Sequence, residues 1–197
     1  MIKNLIFDMG NVLLGYRYHQ MLLDFGLQEE KIEPIADLIF SDDSWNKFDA
    51  GLLSVEDMHN IYKDKCPDDY HIIARFFDEC EKMIVHRPAV WERVDELFEK
   101  GYYIYILSNY SKYMYHKHTS SIPFLDKVHG AVISYQVNVT KPHQDIYFHL
   151  INNYKLIPEE CVFFDDRPEN IATAIALGME GRIVESEEQL LRLLSEF

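Results

Sequence analysis

Short apolar segments alternate with segments of helical periodicity along most of this 197-residue chain. A short apolar run bounded by polar residues indicates a strand that is buried on both faces of a parallel sheet. The runs of this kind are residues 5–7, 103–107, 128–133, 162–164 and 181–184. The helix-period segments are residues 89–100, 146–154 and 171–177, with an amphipathic segment at 185–197. This alternation predicts an α/β fold built on a doubly wound parallel sheet.

The region between the first two predicted strands breaks this alternation. Residues 16–85 have helical character and no convincing strand, and Ser54 followed by Asp57 fits a helix N-cap. We therefore predict two domains. Residues 1–15 and 86–197 would form the α/β core, and residues 16–85 would form a small all-helical cap inserted after the first strand.

The composition argues against several classes of protein. Apolar residues make up 48% of the chain and aromatic residues 14%, too many for a disordered protein. No window holds the roughly 18 consecutive apolar residues of a membrane helix, and the first residues lack the apolar segment of a secretory signal. We therefore expect a cytoplasmic monomer or homodimer without a membrane partner. The three cysteines form no CxxC pair, which supports neither a disulfide framework nor a zinc site.

The charge also limits the partners of this chain. Its formal net charge is −14, and it contains no run of lysine or arginine. This argues against binding to nucleic acid, which depends on neutralising phosphate charge. An acidic protein that handles an anionic substrate needs a local cation, either a metal ion or well-placed basic side chains.

Residues suited to phosphoryl transfer follow the predicted strands, where ligands of open α/β sheets bind. Any one of these residues alone fits a turn or a helix cap. Their occurrence at successive strand ends, in an order that serves one phosphate site, favours a functional interpretation. They are Asp8, Gly10 and Asn11 after the first strand, Ser108 and Asn109 after the second, Lys141 before a helix, and Asp165, Asp166 and Asn170 after the fourth.

The carboxylates at these positions suit a nucleophile and a metal site. Asp8 can attack phosphorus and form an aspartyl phosphate that water then hydrolyses. Because two anions repel each other, we expect Asp8 and Asp166 to share one Mg²⁺, completed by the Gly10 carbonyl, water and the substrate phosphate. Asp165 and Asn170 would orient the lysine or metal-bound water.

The remaining polar residues suit phosphate binding. Lys141 would neutralise a second phosphate oxygen, and the Ser108 hydroxyl would bind a third. Backbone N–H groups close to Ser108 would add further donors. Gly10, Asn11 and Asn109 are the other residues that we expect to bind the phosphate. The substrate would be a small phosphorylated molecule.

Four segments of the chain resemble, in order, the motifs of haloacid-dehalogenase-like hydrolases. They are Phe7-Asp8-Met9-Gly10-Asn11-Val12-Leu13, Ile106-Leu107-Ser108-Asn109, Thr140-Lys141-Pro142 and Phe163-Phe164-Asp165-Asp166-Arg167-Pro168-Glu169-Asn170. The resemblance spans nearly the whole chain, and the predicted insertion is similar in place and size to the family's helical cap of the first type. It implies a Mg²⁺-dependent phosphatase. The Ser-Asn and Asp-Asp pairs resemble those of one branch of the family. This branch holds bacterial sugar-phosphate phosphatases, above all glucose-1-phosphatases, and the N-terminal phosphatase domain of soluble epoxide hydrolase. The resemblance therefore implies a sugar phosphate as substrate, possible examples being sugar 1-phosphates.

One position departs from the family pattern. Most phosphatases of the family carry a second Asp two residues after the nucleophile as general acid and base, and here that residue is Gly10. Our hypothesis is that the enzyme favours less basic leaving groups or borrows an acid from the cap or the substrate. Asp49, in an Asp-Ala-Gly turn, is the cap residue that we expect to enter the site, although a turn between helices is the simpler interpretation.

Three other functions compete with this one. A metal-free 2-haloacid dehalogenase would use Asp8 to attack carbon, but the Asp165-Asp166 pair argues against it. A phosphomutase needs an acid-base group that Gly10 does not provide. A non-catalytic phosphosugar-binding protein is the function that Gly10 favours.

Two further groups of polar residues have simpler interpretations. Arg17 and His19 fit substrate contacts and a solvated hinge equally well. A cluster of tyrosines and histidines lacks metal-ligand spacing, so we interpret it as surface and partner-packing residues. Its members are Tyr110, Tyr113, Tyr115, His116 and His118.

Overall fold

The computed structural model describes residues 1–120 and 122–197. Its strands, numbered in chain order, are β1 (Asn4–Phe7), β2 (Leu14–Tyr16), β3 (Ile84–His86), β4 (Tyr103–Ser108), β5 (Gly130–Ile133), β6 (Cys161–Asp165) and β7 (Glu180–Ile183). Its helices are α1 (Tyr18–Asp24), α2 (Glu29–Phe40), α3 (Asp43–Asp49), α4 (Val55–Lys65), α5 (Tyr70–Asp78), α6 (Pro88–Glu99), α7 (Lys112–Thr119), α8 (Ser134–Val137), α9 (Gln144–Tyr154), α10 (Pro168–Ala176) and α11 (Glu187–Leu194). Short 3₁₀ helices span Cys80–Met83, Pro123–Lys127 and Pro158–Glu160.

Five of the strands form one parallel sheet in the order β5-β4-β1-β6-β7. Phe7 in β1 is paired with Ile106 of β4 on one side and with Phe164 of β6 on the other. The chain therefore builds one half of the sheet with β4 and β5, and then crosses β1 to build the other half with β6 and β7. The carboxyl end of β1 lies at this reversal of strand order, where open α/β sheets bind their ligands.

Helices cover both faces of this sheet. Side chains alternate between the two faces of a strand, so Leu5 and Phe7 pack into one apolar core together with α6 and α11. Ile6 lies between them in sequence and packs into the second core, with α9 and α10. The prediction of a doubly wound parallel sheet is confirmed.

The predicted elements differ from the observed ones mainly at their ends. Strand β5 begins at Gly130, two residues later than predicted, and α10 begins at Pro168, three residues earlier. Apolar periodicity marks only the buried face of a helix, so it misses a polar first turn. The first turn of α9 is such a case, since the His143 side chain caps it by accepting a hydrogen bond from the Asp145 N–H.

Helices α1 to α5 fill most of the region predicted as a helical cap. The predicted N-cap is confirmed, since the Ser54 hydroxyl accepts a hydrogen bond from the Asp57 N–H and the Asp57 carboxylate accepts one from the Ser54 N–H. The expectation that residues 16–85 contain no strand is wrong at both ends. Tyr16 in β2 pairs antiparallel with Ile84 in β3, so the chain enters and leaves the helical region side by side. Strands of three residues are too short to show an alternating pattern.

An aromatic cluster holds the helical region together. Phe40 at the end of α2 packs edge-on against Trp45 of α3 and Phe76 of α5. Phe48 of α3 packs against Phe77 of α5 in the same way. Such edge-to-face contacts contribute about 0.5–1.5 kcal/mol each beyond the burial of their area. The cluster fixes α3, which ends at Asp49. In the described part of the chain, no helix is long and apolar enough to cross a membrane.

Candidate active site

Residues from three neighbouring strand ends meet at the carboxyl edge of the sheet. Asp8 directly follows β1, Ser108 is the last residue of β4, and Asp165 is the last residue of β6. The Ser108 hydroxyl donates a hydrogen bond to Asp8 Oδ1 over 2.6 Å, and the Met9 N–H donates to the same oxygen over 2.7 Å. Both Asp8 and Ser108 are buried, so this carboxylate is held in one orientation.

Lys141 is a buried cation between two of these carboxylates. Its Nζ lies 2.9 Å from Asp8 Oδ1 and 2.6 Å from Asp165 Oδ2, and it donates a hydrogen bond to the Leu107 carbonyl. Burial alone would lower the pKa of Lys141, but the charges of Asp8 and Asp165 outweigh it and raise that pKa. Burial raises the pKa of Asp8 to about 6, although the nearby lysine opposes the shift. Removing Lys141 or Asp8 would therefore leave the other charge buried with one partner fewer, which is unfavourable.

The Asn109 side chain fixes the backbone of this lysine. Its Oδ1 accepts a hydrogen bond from the Lys141 N–H over 2.8 Å, and its Nδ2 donates to the Lys141 carbonyl over 3.0 Å. Both ends of the amide are thus engaged. We predicted Asn109 as a phosphate ligand, and this arrangement leaves its backbone N–H, rather than its side chain, for that role.

Asp165 has both carboxylate oxygens engaged inside the protein. Besides the lysine, the Arg167 N–H donates to Oδ1 over 2.8 Å, and Asn170 Nδ2 lies 2.9 and 3.0 Å from the two oxygens. Asp165 is fully buried. These contacts suit the predicted role of Asp165, which is to orient Lys141 or metal-bound water rather than to ligate a metal ion directly.

The carboxylates of Asp8 and Asp166 fit a divalent cation, and that of Asp165 lies beside them. Asp8, Asp165 and Asp166 place one carboxylate oxygen each within 4.8 Å of one another. Asn11 Nδ2 donates a hydrogen bond to Asp166 Oδ2 over 2.9 Å and so orients it toward the cluster. Three carboxylates face a single lysine, so a divalent cation would balance the charge with the oxygen ligands that Mg²⁺ prefers.

One buried acceptor supports the same fit. Oδ1 of Asn170 is buried and has no hydrogen-bond partner, the only such side-chain atom found in the described residues. An orphaned buried acceptor is costly unless it meets a donor. Asn170 lines the same cavity as Asp8 and Asp166, where a metal-bound water would supply that donor.

Gly10 is enclosed by an aromatic side chain. A Cβ atom built on Gly10 would lie 2.7 Å from a ring carbon of Tyr16 and 2.8 Å from its hydroxyl oxygen. These distances are too short for any side chain at position 10 unless Tyr16 moves. The space next to Gly10 is thus occupied by a phenol ring.

Asp49 enters this site from the helical region. It lines the cavity above Asp8 together with Gly10 and Tyr16, and its Oδ1 accepts a hydrogen bond from the Ser111 N–H over 3.1 Å. Burial raises the pKa of Asp49 to about 7, against the effect of that hydrogen bond. The simpler interpretation as a helix-linking turn is therefore incomplete. Gly51 completes the turn with a positive φ of 71°, which glycine adopts without strain.

Two predictions for neighbouring residues need correction. Tyr110 and His118, which we interpreted as surface residues, are 4% and 2% exposed and line a second cavity beside Asp49. The burial of His118 follows from α7, because His118 lies one helical turn after Met114 on the inward face. Arg17, in contrast, forms an ion pair with Asp24 of α1 at the surface, and His19 Nε2 lies 3.1 Å from Glu29 Oε1 of α2.

Sequence reasoning missed the residues that hold the loop after Asp8. Arg87 Nη1 donates hydrogen bonds to the carbonyls of Asn11 and Val12 over 2.6 and 3.0 Å. Trp91 Nε1 donates to the Leu13 carbonyl over 2.7 Å. These donors lie more than 70 residues away in the chain, so no local pattern connects them to the loop.

The family model of haloacid dehalogenase-like hydrolases matches residues 2–178. The chain belongs to this family. Its curated relatives include the D-ribitol-5-phosphate phosphatase of Bacteroides thetaiotaomicron, 25% identical over 91% of this chain and 90% of the relative. A sesquiterpene phosphatase of Aspergillus oryzae is 24% identical over 91% of this chain and 88% of the relative. The prediction of a phosphoric monoester hydrolase of this family is confirmed.

A solved structure shows the same fold. A variant of a haloacid dehalogenase family enzyme from Bacteroides thetaiotaomicron, in complex with magnesium and inorganic phosphate, superposes with a TM-score of 0.77. It is 20% identical to this chain, and the match covers 92% of this chain and 93% of the other.

Proposed function

We propose that this protein is a Mg²⁺-dependent phosphatase that forms a phosphoryl intermediate on Asp8. The observation that carries this proposal is the meeting of Asp8, Ser108, Lys141 and Asp166 around one cavity at the strand ends. A nucleophile, a hydroxyl donor, a fixed cation and a free carboxylate are the groups that phosphoryl transfer requires.

Each side chain has a role in the proposed reaction. Asp8 attacks phosphorus, and the ester oxygen leaves with the electrons of the broken P–O bond. Lys141 neutralises charge beside the phosphate while it also holds Asp8 in place. The Ser108 hydroxyl, whose single hydrogen lies on Asp8 in this structure, would exchange that bond for one to a phosphate oxygen. The carboxylates of Asp8 and Asp166, with the Gly10 carbonyl, would hold Mg²⁺, which when bound reduces the repulsion between nucleophile and phosphate. Water then attacks the phosphorus and regenerates Asp8.

Asp49 is our choice for the group that protonates the leaving oxygen. The structure has no room for a carboxylate at Gly10, because the Tyr16 ring fills that space. Asp49 lines the same cavity, and a pKa of about 7 keeps a substantial fraction of it protonated at neutral pH. A general acid is most effective when its pKa lies near the working pH.

The competing functions are less well supported. A metal-free dehalogenase has no use for Asp166, whose carboxylate lies beside that of Asp8. The relatives support two classes of substrate. The D-ribitol-5-phosphate phosphatase supports a sugar phosphate, which the resemblance also implies, and the sesquiterpene phosphatase supports a more apolar substrate.

The test uses p-nitrophenyl phosphate, whose leaving group needs little protonation. We expect turnover with Mg²⁺, loss of turnover on chelation, and recovery when Mg²⁺ is restored. Asp8→Asn should abolish turnover, whereas the matched surface variant Asp145→Asn should retain it, since Asp145 is exposed. Activity that survives chelation, or that survives in Asp8→Asn, would contradict the proposal.

A further inference from the structure

A second cavity adjoins the cavity of Asp8. It has a volume of about 290 Å³ and lies between the helical region and the start of α7. Six residues line both cavities, which therefore lie side by side: Asn11, Tyr16, Phe40, Trp45, Asp49 and Asn109. An ester group bound at Asp8 would extend its organic part into this space. Aromatic and thioether side chains form most of the wall, and they are Tyr16, Tyr18, Phe40, Trp45, Met83, Tyr110 and Met114.

Two of the three tyrosine hydroxyls in this wall are bonded to each other, and the third, on Tyr18, contacts the Glu33 carboxylate instead. The Tyr16 hydroxyl donates a hydrogen bond to the Tyr110 hydroxyl, which lies 3.1 Å from His118 Nδ1. His118 Nε2 lies 3.0 Å from the Cys80 carbonyl, so Nε2 carries the proton and Nδ1 accepts from Tyr110. Burial lowers the pKa of His118 to about 4, so the imidazole is neutral. This chain of hydrogen bonds ends within the protein.

The other polar side chains at the wall are also engaged. Asn11 donates to Asp166, and both ends of the Asn109 amide bind the backbone of Lys141. Asp49 accepts the Ser111 N–H. A polyol in this cavity would lose its hydrogen bonds to water and find few partners, and each hydroxyl left unpaired would weaken its binding. An apolar group would bury its surface without that cost.

We infer that this cavity binds an apolar organic group, so that the substrate is a phosphate monoester of an aliphatic or aromatic alcohol rather than of a sugar. The inference rests on the proposed phosphatase function and specifies its substrate class. It departs from the sugar phosphate that the sequence resemblance implies, because the cavity wall offers ring faces and thioethers where a sugar needs donors and acceptors.

Two substrates with the same connectivity at phosphorus provide the test. Cyclohexylmethyl phosphate and glucose 6-phosphate each carry a six-membered ring on a CH₂–O–phosphate group, and they differ mainly in the ring's hydroxyl groups. We expect kcat/KM to be about 10–100-fold higher for cyclohexylmethyl phosphate, the range in which an apolar pocket discriminates. p-Nitrophenyl phosphate serves as the measure of the phosphatase chemistry itself.

A variant locates the effect in the cavity. Phe40→Ala should lower kcat/KM for cyclohexylmethyl phosphate by about 10-fold through KM, and should change that for glucose 6-phosphate much less. Tyr18→Ala repeats the test at another point of the wall in case Phe40→Ala fails to fold. Phe148→Ala is the matched control, since Phe148 is an exposed aromatic residue of α9.

The outcomes separate the inference from the proposed function. Turnover of p-nitrophenyl phosphate together with a preference for glucose 6-phosphate, or with no turnover of cyclohexylmethyl phosphate, overturns the inference alone. Equal losses for both ring substrates in the Phe40 and Tyr18 variants also overturn it. If p-nitrophenyl phosphate is not turned over, the proposed function is wrong, and the inference about the substrate class is wrong as well.

Discussion

The two adjoining cavities of this protein differ in how they are built. The cavity at Asp8 is lined mainly by residues from the ends of β1, β4 and β6, most of them charged or amide side chains, and residues of the helical region such as Tyr16 and Asp49 complete it. The adjoining cavity is lined mainly by aromatic and thioether side chains from α1, α2, α3 and α7. Strand ends fix the first cavity through the hydrogen bonds of the sheet, whereas helix packing fixes the second. Under the proposed function, the first cavity would hold the phosphate that all substrates share, and the second would select the organic group attached to it.

The largest expected effect comes from removing the buried cation. Lys141→Met leaves Asp8 and Asp165 buried without their partner, so we expect a loss of about 3–5 kcal/mol in the free energy of unfolding and loss of turnover. Adding Asp165→Asn should recover much of the stability but none of the activity. Denaturant titration and p-nitrophenyl phosphate assays measure both. Lys127→Met, which breaks a surface ion pair with Asp95, should cost about 1 kcal/mol or less. An equal cost for the two single variants would contradict the assigned role.

Removing the proposed acid should matter next. Asp49→Asn should lower kcat for cyclohexylmethyl phosphate about 10²–10⁴-fold, the usual contribution of general acid catalysis, and should affect p-nitrophenyl phosphate far less. Asp43→Asn, an exposed change in the same helix, is the control. Equal losses on both substrates would show that Asp49 only supports the structure.

The pH profile gives a second test of Asp49. The protonated form is the active one, so kcat for the alkyl ester should fall as the pH rises through about 7, and Asp49→Asn should lack this decline. The charge of Asp8 raises the pKa of Asp49 and that of Arg167 lowers it, so both groups belong to the interpretation. A profile with the same alkaline decline in the variant would assign the titration to another group.

A smaller effect is expected from the residue that orients Asp166. Asn11→Gly removes the side-chain hydrogen bond to Asp166 but tolerates the positive φ of 53° at this position. We expect the Mg²⁺ concentration for half-maximal activity to rise about 10–100-fold with a modest change in kcat at saturation. Asn152→Ala, on the exposed face of α9, is the control. An unchanged Mg²⁺ concentration for half-maximal activity would show that Asn11 does not contribute to Mg²⁺ binding.

The smallest effect concerns the boundary between the two cavities. Gly10→Ala should cost about 1–3 kcal/mol of stability, because its methyl group would overlap the Tyr16 ring. Tyr16→Leu removes the far end of that ring, so the double variant should be more stable than the sum of the single changes predicts. Thermal or denaturant unfolding measures this coupling, and strict additivity would contradict the close contact.

The same contrast explains what the sequence could predict. The residues around Asp8 follow directly after apolar strands, and parallel strands bring such ends to one edge, so their meeting could be expected from the chain alone. The Tyr16 ring next to Gly10 could not, because the contact depends on a three-residue strand that pairs with β3 across the helical region. Tyr110 carried one usable signal, its position directly after Ser108 and Asn109 at a strand end. The aromatic wall is formed by the buried sides of several helices. Periodicity indicates which side of a helix is buried, but it does not indicate whether that side packs against the core or lines a cavity.

The phosphoryl intermediate on Asp8 tests the central claim most directly. The enzyme would be mixed with p-nitrophenyl phosphate and Mg²⁺, quenched in acid during turnover, digested, and examined by mass spectrometry. The account predicts one added phosphoryl group on the peptide that contains Asp8, removed by hydroxylamine and absent from Asp8→Asn. A phosphoryl group found on another residue would contradict the account. So would the absence of any phosphorylated peptide together with activity that persists in Asp8→Asn.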